Sequence, residues 1–96
     1  MERVKLWRDG RKKLVGTVEL DEDNRRLFFH IADEEEQNRV AGVFNEMGEV
    51  TWSWTRYGDG EWQEHRAEPR TRAWFWFVVA NILYPMGYQA DFGADG

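Results

Sequence analysis

Residues Thr71–Tyr84 read TRAWFWFVVANILY, with four aromatic side chains in a row followed by two valines. Pro69 precedes this stretch, and Pro85 and Gly87 follow it, which is typical of the two ends of a helix. Trp, Phe and Val prefer strands, so a fully buried central strand is the alternative. Because strands are rarely this long, we predict a helix with Pro69 at its first position.

The same stretch is too short for a membrane span. Only about twelve apolar residues occur together and Asn81 interrupts them, whereas a span needs ~20. As a helix it would be apolar around its whole circumference, and a sheet covers only one side of a helix. The other side needs the first helix, the C-terminal tail, a different protein or a second copy of the chain. We therefore expect either core or a contact surface here, with a homodimer through residues 74–83 among the options.

The N-terminal third has the pattern of three antiparallel strands. Asp9-Gly10 is a turn signal between two apolar runs, Val4–Trp7 and Leu14–Leu20, and a second turn at Asp23-Asn24 brings opposite charges together. The predicted pairs are Glu22 with Arg25, Asp21 with Arg26, Leu20 with Leu27 and Val18 with Phe29. This register directs one set of side chains to the core (Leu14, Val18, Leu20, Leu27, Phe29 and Ile31) and another to the reverse face (Glu19, Phe28 and His30).

A helix is predicted between Asp33 and Gly48. Asp33 with Glu36 three residues later forms a capping-box pattern, acidic residues fill the first turn, and Gly48 stands where a C-terminal cap belongs. Glu35 is spaced to pair with Arg39. The apolar positions recur with helical spacing at Val40, Val43, Phe44 and Met47. One side of this helix therefore packs on the sheet, and the other is acidic.

A second hairpin is predicted around Gly58-Asp59-Gly60, because apolar and polar residues alternate in 50–55 before this turn. A three-residue loop with Gly60 left-handed places Trp62 on the same face as Trp54, and a two-residue loop places it beside Tyr57; both stay open. The tail, Tyr88–Phe92, is predicted as a short edge strand. The fold class is α+β, a two-layer sandwich in the order β-β-β-α-β-β-α, in which two helices cover one face of an antiparallel sheet.

Length and composition suggest one small intracellular domain. A chain of 96 residues allows a single domain over 1–96, in which nearly every large apolar side chain is needed for the core. The absence of cysteine excludes a disulfide framework, a thiolate nucleophile and a cysteine zinc site. The N-terminal residues lack the apolar run of a signal peptide. We therefore expect a cytoplasmic protein with no membrane partner.

The net charge of -5 conceals an uneven distribution. Residues 1–18 hold six basic and two acidic side chains, whereas residues 19–49 hold ten acidic and three basic ones. Such a layout can steer a charged partner toward one side of the molecule. The acidic band from Glu19 to Glu49 indicates a basic surface as its target.

Enzymatic chemistry has little support in the sequence. Ser53 is the only serine and has no nucleophile-elbow context, and no glycine-rich phosphate motif occurs. Asp21–Asn24 begins like a calcium loop, but Arg26 and Ala32 stand where that loop needs Gly and Glu. A small enzyme using His30 or His65 as an acid, base or metal ligand is the least favoured alternative. We predict no catalytic residue, no cofactor and no metal site.

Single-stranded nucleic-acid binding is the first alternative function. Cations interleaved with an aromatic ring are typical of surfaces that hold single strands. The acidic character of the whole chain argues against it. The residues that would bind lie in the N-terminal hairpin: Arg3, Lys5, Trp7, Arg8, Arg11, Lys12 and Lys13.

Protein binding accounts for the most features at once. Trp and Tyr are favoured anchors of protein interfaces, and exposed carboxylates select a basic partner. We expect a non-enzymatic protein-binding module, an acidic inhibitor or adaptor that acts on a basic surface of a partner such as a nucleic-acid-binding enzyme. The expected contact residues are Asp33, Glu34, Glu35, Glu36, Trp52, Trp54, Tyr57 and Trp62.

Overall fold

The computed structural model of the chain describes residues 1–47, 52–55, 58–61, 63–66 and 68–92, with the backbone alone in 52–55 and 63–66. The elements in chain order are β1 (Glu2–Arg8), β2 (Lys13–Asp21), β3 (Arg26–Ile31), α1 (Glu34–Glu46), β4 (Trp52–Thr55), β5 (Gln63–Arg66), α2 (Arg72–Val78), a π-helical turn (Val79–Leu83), a 3₁₀ turn (Tyr84–Met86) and β6 (Gln89–Phe92). Strands β3, β2, β1 and β6 lie side by side, in that order, in an antiparallel sheet. The predicted α+β class and the short C-terminal strand are confirmed.

The predicted register of the second turn is correct. Strands β2 and β3 pair Val18 with Phe29, Leu20 with Leu27 and Asp21 with Arg26. The amide of Arg25 donates to the carbonyl of Glu22 at 3.3 Å, which closes the turn. Charge complementarity at the tip and an apolar face below it therefore agree on one register, as expected for a strand pair with one buried side.

The inward position predicted for Leu14 is wrong. The pairing of β1 with β2 shifts between Leu6, which faces Gly16, and Trp7, which faces Leu14, so Val15 is an extra residue in the ladder. A bulge of this kind changes which side chains face the core on either side of it. Leu14 is consequently 53% exposed, whereas Val15 is buried.

Gly16, next to this bulge, occupies a position where the sheet requires glycine. Its φ is +155°, and a Cβ there would lie 2.4 Å from the carbonyl oxygen of His30. We predict that Gly16→Ala lowers the free energy of unfolding by about 2–3 kcal/mol, because backbone cannot yield to the added atom. Urea denaturation followed by circular dichroism measures the change.

Gly42→Ala is the matched control for that prediction. Gly42 lies inside α1, and a Cβ there would meet nothing within 4 Å. The same substitution should therefore leave stability unchanged or raise it by up to ~1 kcal/mol, since alanine is the better helix former. Equal losses in the two variants would show that the close approach at Gly16 is not what limits that site.

Helix α1 begins and packs as its sequence predicts. Asp33 is the N-cap, and its carboxylate accepts a hydrogen bond from the amide of Glu36 at 3.0 Å. Val40 and Phe44 are buried, with Val43 and Met47 packed beside them. Arg39 differs from expectation: its ion pair is with Glu36 at 3.2 Å rather than with Glu35. The predicted cap at Gly48 lies outside the described residues.

The aromatic segment is helical, but it begins later than predicted. Pro69 lies in a turn, and Thr71 is the N-cap, with its hydroxyl accepting from the amide of Trp74 at 3.4 Å. The amides of the first helical turn have no partner within the helix, and a side-chain oxygen at the N-cap can accept a hydrogen bond from one of them. Proline has no such oxygen. The helix widens into the π-helical turn and tightens into the 3₁₀ turn, and Gly87 ends it with a φ of +100°. No helix in the described residues is long and apolar enough to span a membrane.

The second hairpin forms a separate two-stranded sheet. Strands β4 and β5 pair Thr55 with Gln63 and Trp52 with Arg66. In the segment between them, Gly58 is left-handed, with a φ of +61°. The choice between the two predicted loop lengths depends on the pairing of Tyr57 and Trp62. Tyr57 and Trp62 lie outside the described residues. The hairpin is therefore not part of the four-stranded sheet.

One side of the aromatic segment is buried in the core of the fold. Trp74, Phe75 and Val78 are fully buried and join α1 and the sheet in one cluster. Phe44 of α1 is its centre, with ring centroids 5.5 Å from Trp74 and 5.6 Å from Phe75. Trp76 is 38% exposed and Tyr84 63% exposed. The segment is therefore core on one side and open on the other.

Candidate functional site

The open side of the aromatic segment lies beside the edge of the sheet. Trp76 stacks on Phe92 of β6, with centroids 4.4 Å apart and planes 18° from parallel. Its indole N–H donates to Glu2 at 3.3 Å, and the guanidinium of Arg72 lies 5.2 Å from the ring centroid. These contacts fix Trp76 on the C-terminal end of β6. The C-terminal end of β6 is therefore held against the open side of the aromatic segment.

A groove runs from this stack along β6. It has a volume of about 210 Å³ and is mostly apolar. The π-helical and 3₁₀ turns after α2 form one wall of the groove, and β6 forms the other. Arg11 of the β1–β2 turn also contributes to the lining. The lining residues are Arg11, Val79, Ala80, Tyr84, Gln89, Ala90 and Phe92.

Strand β6 is also an edge strand of the sheet that the structure describes. Within the described residues it pairs with β1 alone, through contacts from Val4–Phe92 to Trp7–Gln89. An edge strand presents backbone N–H and C=O groups that can pair with another chain. Here that edge borders an apolar groove, so backbone hydrogen bonds and side-chain burial are available at the same place.

Gln89 adds an unsatisfied acceptor to the groove wall. Its Oε1 is buried and has no hydrogen-bond partner among the described residues. A buried acceptor in this state costs about 1–3 kcal/mol.

Several charged side chains lie at or near the end of the groove that Gln89 lines. Arg11 lines the groove and pairs with the carboxylate of Asp91, which also accepts from the indole N–H of Trp7 at 3.0 Å. The hydrogen bond from Arg11 holds the pKa of Asp91 below its usual value. Lys12 follows in the same turn, Lys13 begins β2, and both are exposed. Basic residues therefore outnumber acidic ones in residues 8–13, which reach this end of the groove through Arg11, although the net charge of the chain is -5.

The predicted nucleic-acid residues do not form one free cationic surface. Arg3 pairs with Glu19 at 3.1 Å, Arg8 pairs with Glu36 at 3.0 Å, and Arg11 pairs with Asp91. Trp7 is half-buried and bonded to Asp91. Only the three lysines of that set, Lys5, Lys12 and Lys13, lack a carboxylate partner among the described residues.

The predicted acidic contact residues divide into two kinds. Asp33 is engaged as the cap of α1, and Glu36 is engaged in a network with Arg8, Arg39 and Tyr88. Glu34 and Glu35 are exposed and stay available to a partner. Trp52 and Trp54 belong to β4, where the structure describes backbone alone.

The network around Glu36 joins three parts of the fold. Tyr88, which is fully buried, donates its hydroxyl to one carboxylate oxygen, and Arg8 bonds to the other while its guanidinium lies 4.1 Å from the Tyr88 ring centroid. Burial, followed by the hydrogen bond to Glu36, raises the pKa of Tyr88. Burial alone would raise the pKa of Glu36, but the bonds from Tyr88 and Arg8 outweigh it and the pKa is lowered. The network therefore holds the start of β6 against α1 and β1.

The two histidines do not lie on neighbouring strands. His30 belongs to β3 and pairs with Thr17, while His65 belongs to β5 and pairs with Ser53, in the other sheet. His30 is exposed, and its Nε2 lies 3.6 Å from Glu19. Across the described part of the chain, no group of three or more histidine or acidic side chains is placed to hold a metal ion.

The sequence left open whether residues 74–83 are all core or present a contact surface, and it did not predict the groove. Tyr84 and Gln89 are not among the residues that the sequence predicts as contacts, because nothing local shows that the tail returns beside the helix. The one available signal was the edge strand predicted for Tyr88–Phe92. No family model, curated protein or solved structure matches the chain, so its function has to be inferred from its own geometry.

Proposed function

We propose that this chain is a non-enzymatic protein-binding module that receives an extended segment of a partner protein along β6. The observation that carries the proposal is the coincidence of an open strand edge with an apolar groove lined by Ala80, Tyr84 and Phe92. Adding a strand to a sheet edge is a common mode of peptide recognition, in which backbone bonds give affinity and side-chain pockets give specificity. Both elements are present at this edge.

The groove is also suited to a partner in its physical properties. Tyr84 is 63% exposed at its wall, and a tyrosine anchor buries large area at little cost in conformational entropy. The Trp76–Phe92 stack and the Glu36 network fix the two ends of β6. A site built on fixed elements loses less entropy on binding than a mobile loop does.

The acidic-inhibitor version of this function has less support than the groove. It would use Glu34 and Glu35, since Asp33 and Glu36 are engaged within the fold. Reversing both exposed charges to lysine would abolish binding to a basic partner. The same change should leave binding at the groove nearly unaffected, because α1 supplies none of the groove's lining residues.

Selection from a random peptide library displayed on phage tests the proposed function. We expect peptides that bind the native chain and bind Ala80→Arg at least tenfold more weakly, because Ala80 is an exposed residue of the groove wall. Ala32→Arg is the matched control: Ala32 is exposed and follows β3, at the opposite edge of the sheet. Binding measured by fluorescence anisotropy should be the same for this control and the native chain.

Two outcomes would overturn the proposal. A library that yields no binder sensitive to Ala80→Arg would show that the groove is not a peptide site. A native chain that sediments as a dimer, and that Ala80→Arg converts to a monomer, would assign the groove to a second copy of the chain instead. Circular dichroism of both variants establishes that they are folded.

A further inference from the structure

We infer that the segment bound at β6 is acidic and carries one bulky apolar anchor, an inference that rests on the proposed function and names its partner class. Three observations support this inference: the volume of the groove, the cations near its Gln89 end and the net charge of the chain. Each limits the chemistry of the occupant independently.

The volume indicates a single large side chain. The groove measures about 210 Å³, and an apolar cavity of ~150 Å³ already holds a benzene ring. Val79, Ala80, Ala90 and Phe92 supply apolar contacts, so a phenylalanine or leucine of the partner would bury part of its apolar surface there. A string of small polar residues would leave the groove unfilled.

The cations indicate carboxylates beside that anchor. Lys12 in the β1–β2 turn and Lys13 at the start of β2 are exposed, and neither has an ion-pair partner among the described residues. Two acidic groups lie nearby: Asp91, which is paired with Arg11, and Asp9 in the same turn. The turn therefore keeps an excess of positive charge toward the Gln89 end of β6. Because charge complementarity speeds association and selects partners, an acidic segment fits this end best.

A second copy of the chain could also pair with the edge strand β6, but the net charge of the chain disfavours this. Each copy carries a net charge of -5, so two copies repel at long range. An acidic segment of a partner meets the same repulsion, but only a few of its carboxylates need to reach Lys12 and Lys13. A local attraction can then outweigh a screened long-range repulsion.

A set of labelled synthetic peptides tests the inference. The parent peptide has phenylalanine between valines and glutamates at both ends; one variant replaces the glutamates with lysines, and another replaces phenylalanine with alanine. We expect each variant to bind the native chain at least tenfold more weakly than the parent. The charge preference should shrink as salt is added, because exposed charges are screened.

Two further measurements distinguish strand addition beside Lys12 and Lys13 from unspecific electrostatic attraction of the peptide to the chain. Lys12→Glu combined with Lys13→Glu should reverse the preference, so that the lysine peptide binds more tightly than the glutamate peptide. Backbone N-methylation of alternate residues should weaken binding about tenfold in one alternate set and leave the other set unchanged, because only one set of amides can face β6.

The outcomes distinguish this inference from the proposed function. Binding that is sensitive to Ala80→Arg but equal for glutamate and lysine peptides would overturn the acidic partner and leave the peptide site standing. Equal effects of both N-methylated sets would overturn strand addition. No binding by any peptide of the set would overturn the inference, and the phage selection would then decide the proposed function separately.

Discussion

Trp74→Ala is expected to lower the free energy of unfolding by about 3–5 kcal/mol, the largest effect of any substitution proposed for this chain. Trp74 is fully buried, its ring meets Phe44 at a centroid distance of 5.5 Å, and its indole N–H donates to the carbonyl of Met47 at 2.7 Å. The substitution removes all three contributions and leaves a cavity between the two helices. Since a domain of this size is stabilised by only ~5–15 kcal/mol, much of that margin would be lost.

Trp76→Ala supplies the matched control, since it changes the same residue type two positions along α2. Trp76 is 38% exposed and makes three surface contacts: a ring stack with Phe92, a hydrogen bond to Glu2 and a cation–π contact with Arg72. We expect a loss of about 1 kcal/mol in urea denaturation, no more than a partly exposed aromatic pair contributes. A larger loss at Trp76 than at Trp74 would mean that the segment faces the core with its other side.

The contrast between these two tryptophans shows what the sequence could not supply. The run WFWF is equally apolar at every position, so its composition predicts burial for all four rings and its periodicity selects none of them. The inward side is chosen by tertiary packing, since Phe44 of α1 contacts Trp74 and Phe75. It is also chosen by the tail, which returns beside Trp76 and so leaves Trp74 for the core.

The N-terminal meander was more predictable because two independent signals agree there. Opposite charges at the turn tip and alternating apolar residues select the same register for β2 and β3. The pattern failed at Leu14, where the extra residue Val15 has no signature beyond the glycine that follows it. A glycine inside a strand can mark a bulge, but it does not say which neighbour is the extra residue.

The candidate site was predictable only as a bare surface. Its two walls, at Ala80 and Ala90, are ten positions apart and meet because Gly87 turns the chain back through a left-handed conformation. Of the four acidic residues that were predicted as contacts, Asp33 caps α1 and Glu36 is ion-paired, whereas Glu34 and Glu35 are exposed. Isolated charge patterns could not show that Glu36 is needed inside the fold, because its partners Arg8 and Tyr88 are distant in sequence.

Glu36→Ala is the second substitution expected to have a large effect, a loss of about 3 kcal/mol. Its carboxylate is only 14% exposed and joins Arg8, Arg39 and Tyr88. Removing it leaves the buried hydroxyl of Tyr88 and the guanidinium of Arg8 without the oxygens they bind. Glu34→Ala is the control, because Glu34 is exposed in the same turn of α1 and should cost within ~0.5 kcal/mol.

The same carboxylate predicts a dependence of stability on pH. The pKa of Glu36 is lowered in the folded chain from its ordinary value of 4.5, so the folded state binds this proton less readily than the unfolded state does. Its stabilising contribution is therefore complete above about pH 4.5 and is lost as pH falls toward the folded-state pKa. The difference in stability between the native chain and Glu36→Gln should shrink in that interval, and a constant difference would contradict the assignment.

Loss of the network should also loosen the strand that borders the groove. Tyr88 immediately precedes β6, and its hydroxyl holds that point against α1 through Glu36. In Glu36→Gln, under conditions where the chain stays folded, we expect amide hydrogen exchange to accelerate in residues 89–92 more than in β2, which is paired on both sides. If exchange accelerates equally in both strands, the network stabilises the whole fold and has no particular role in positioning the groove wall.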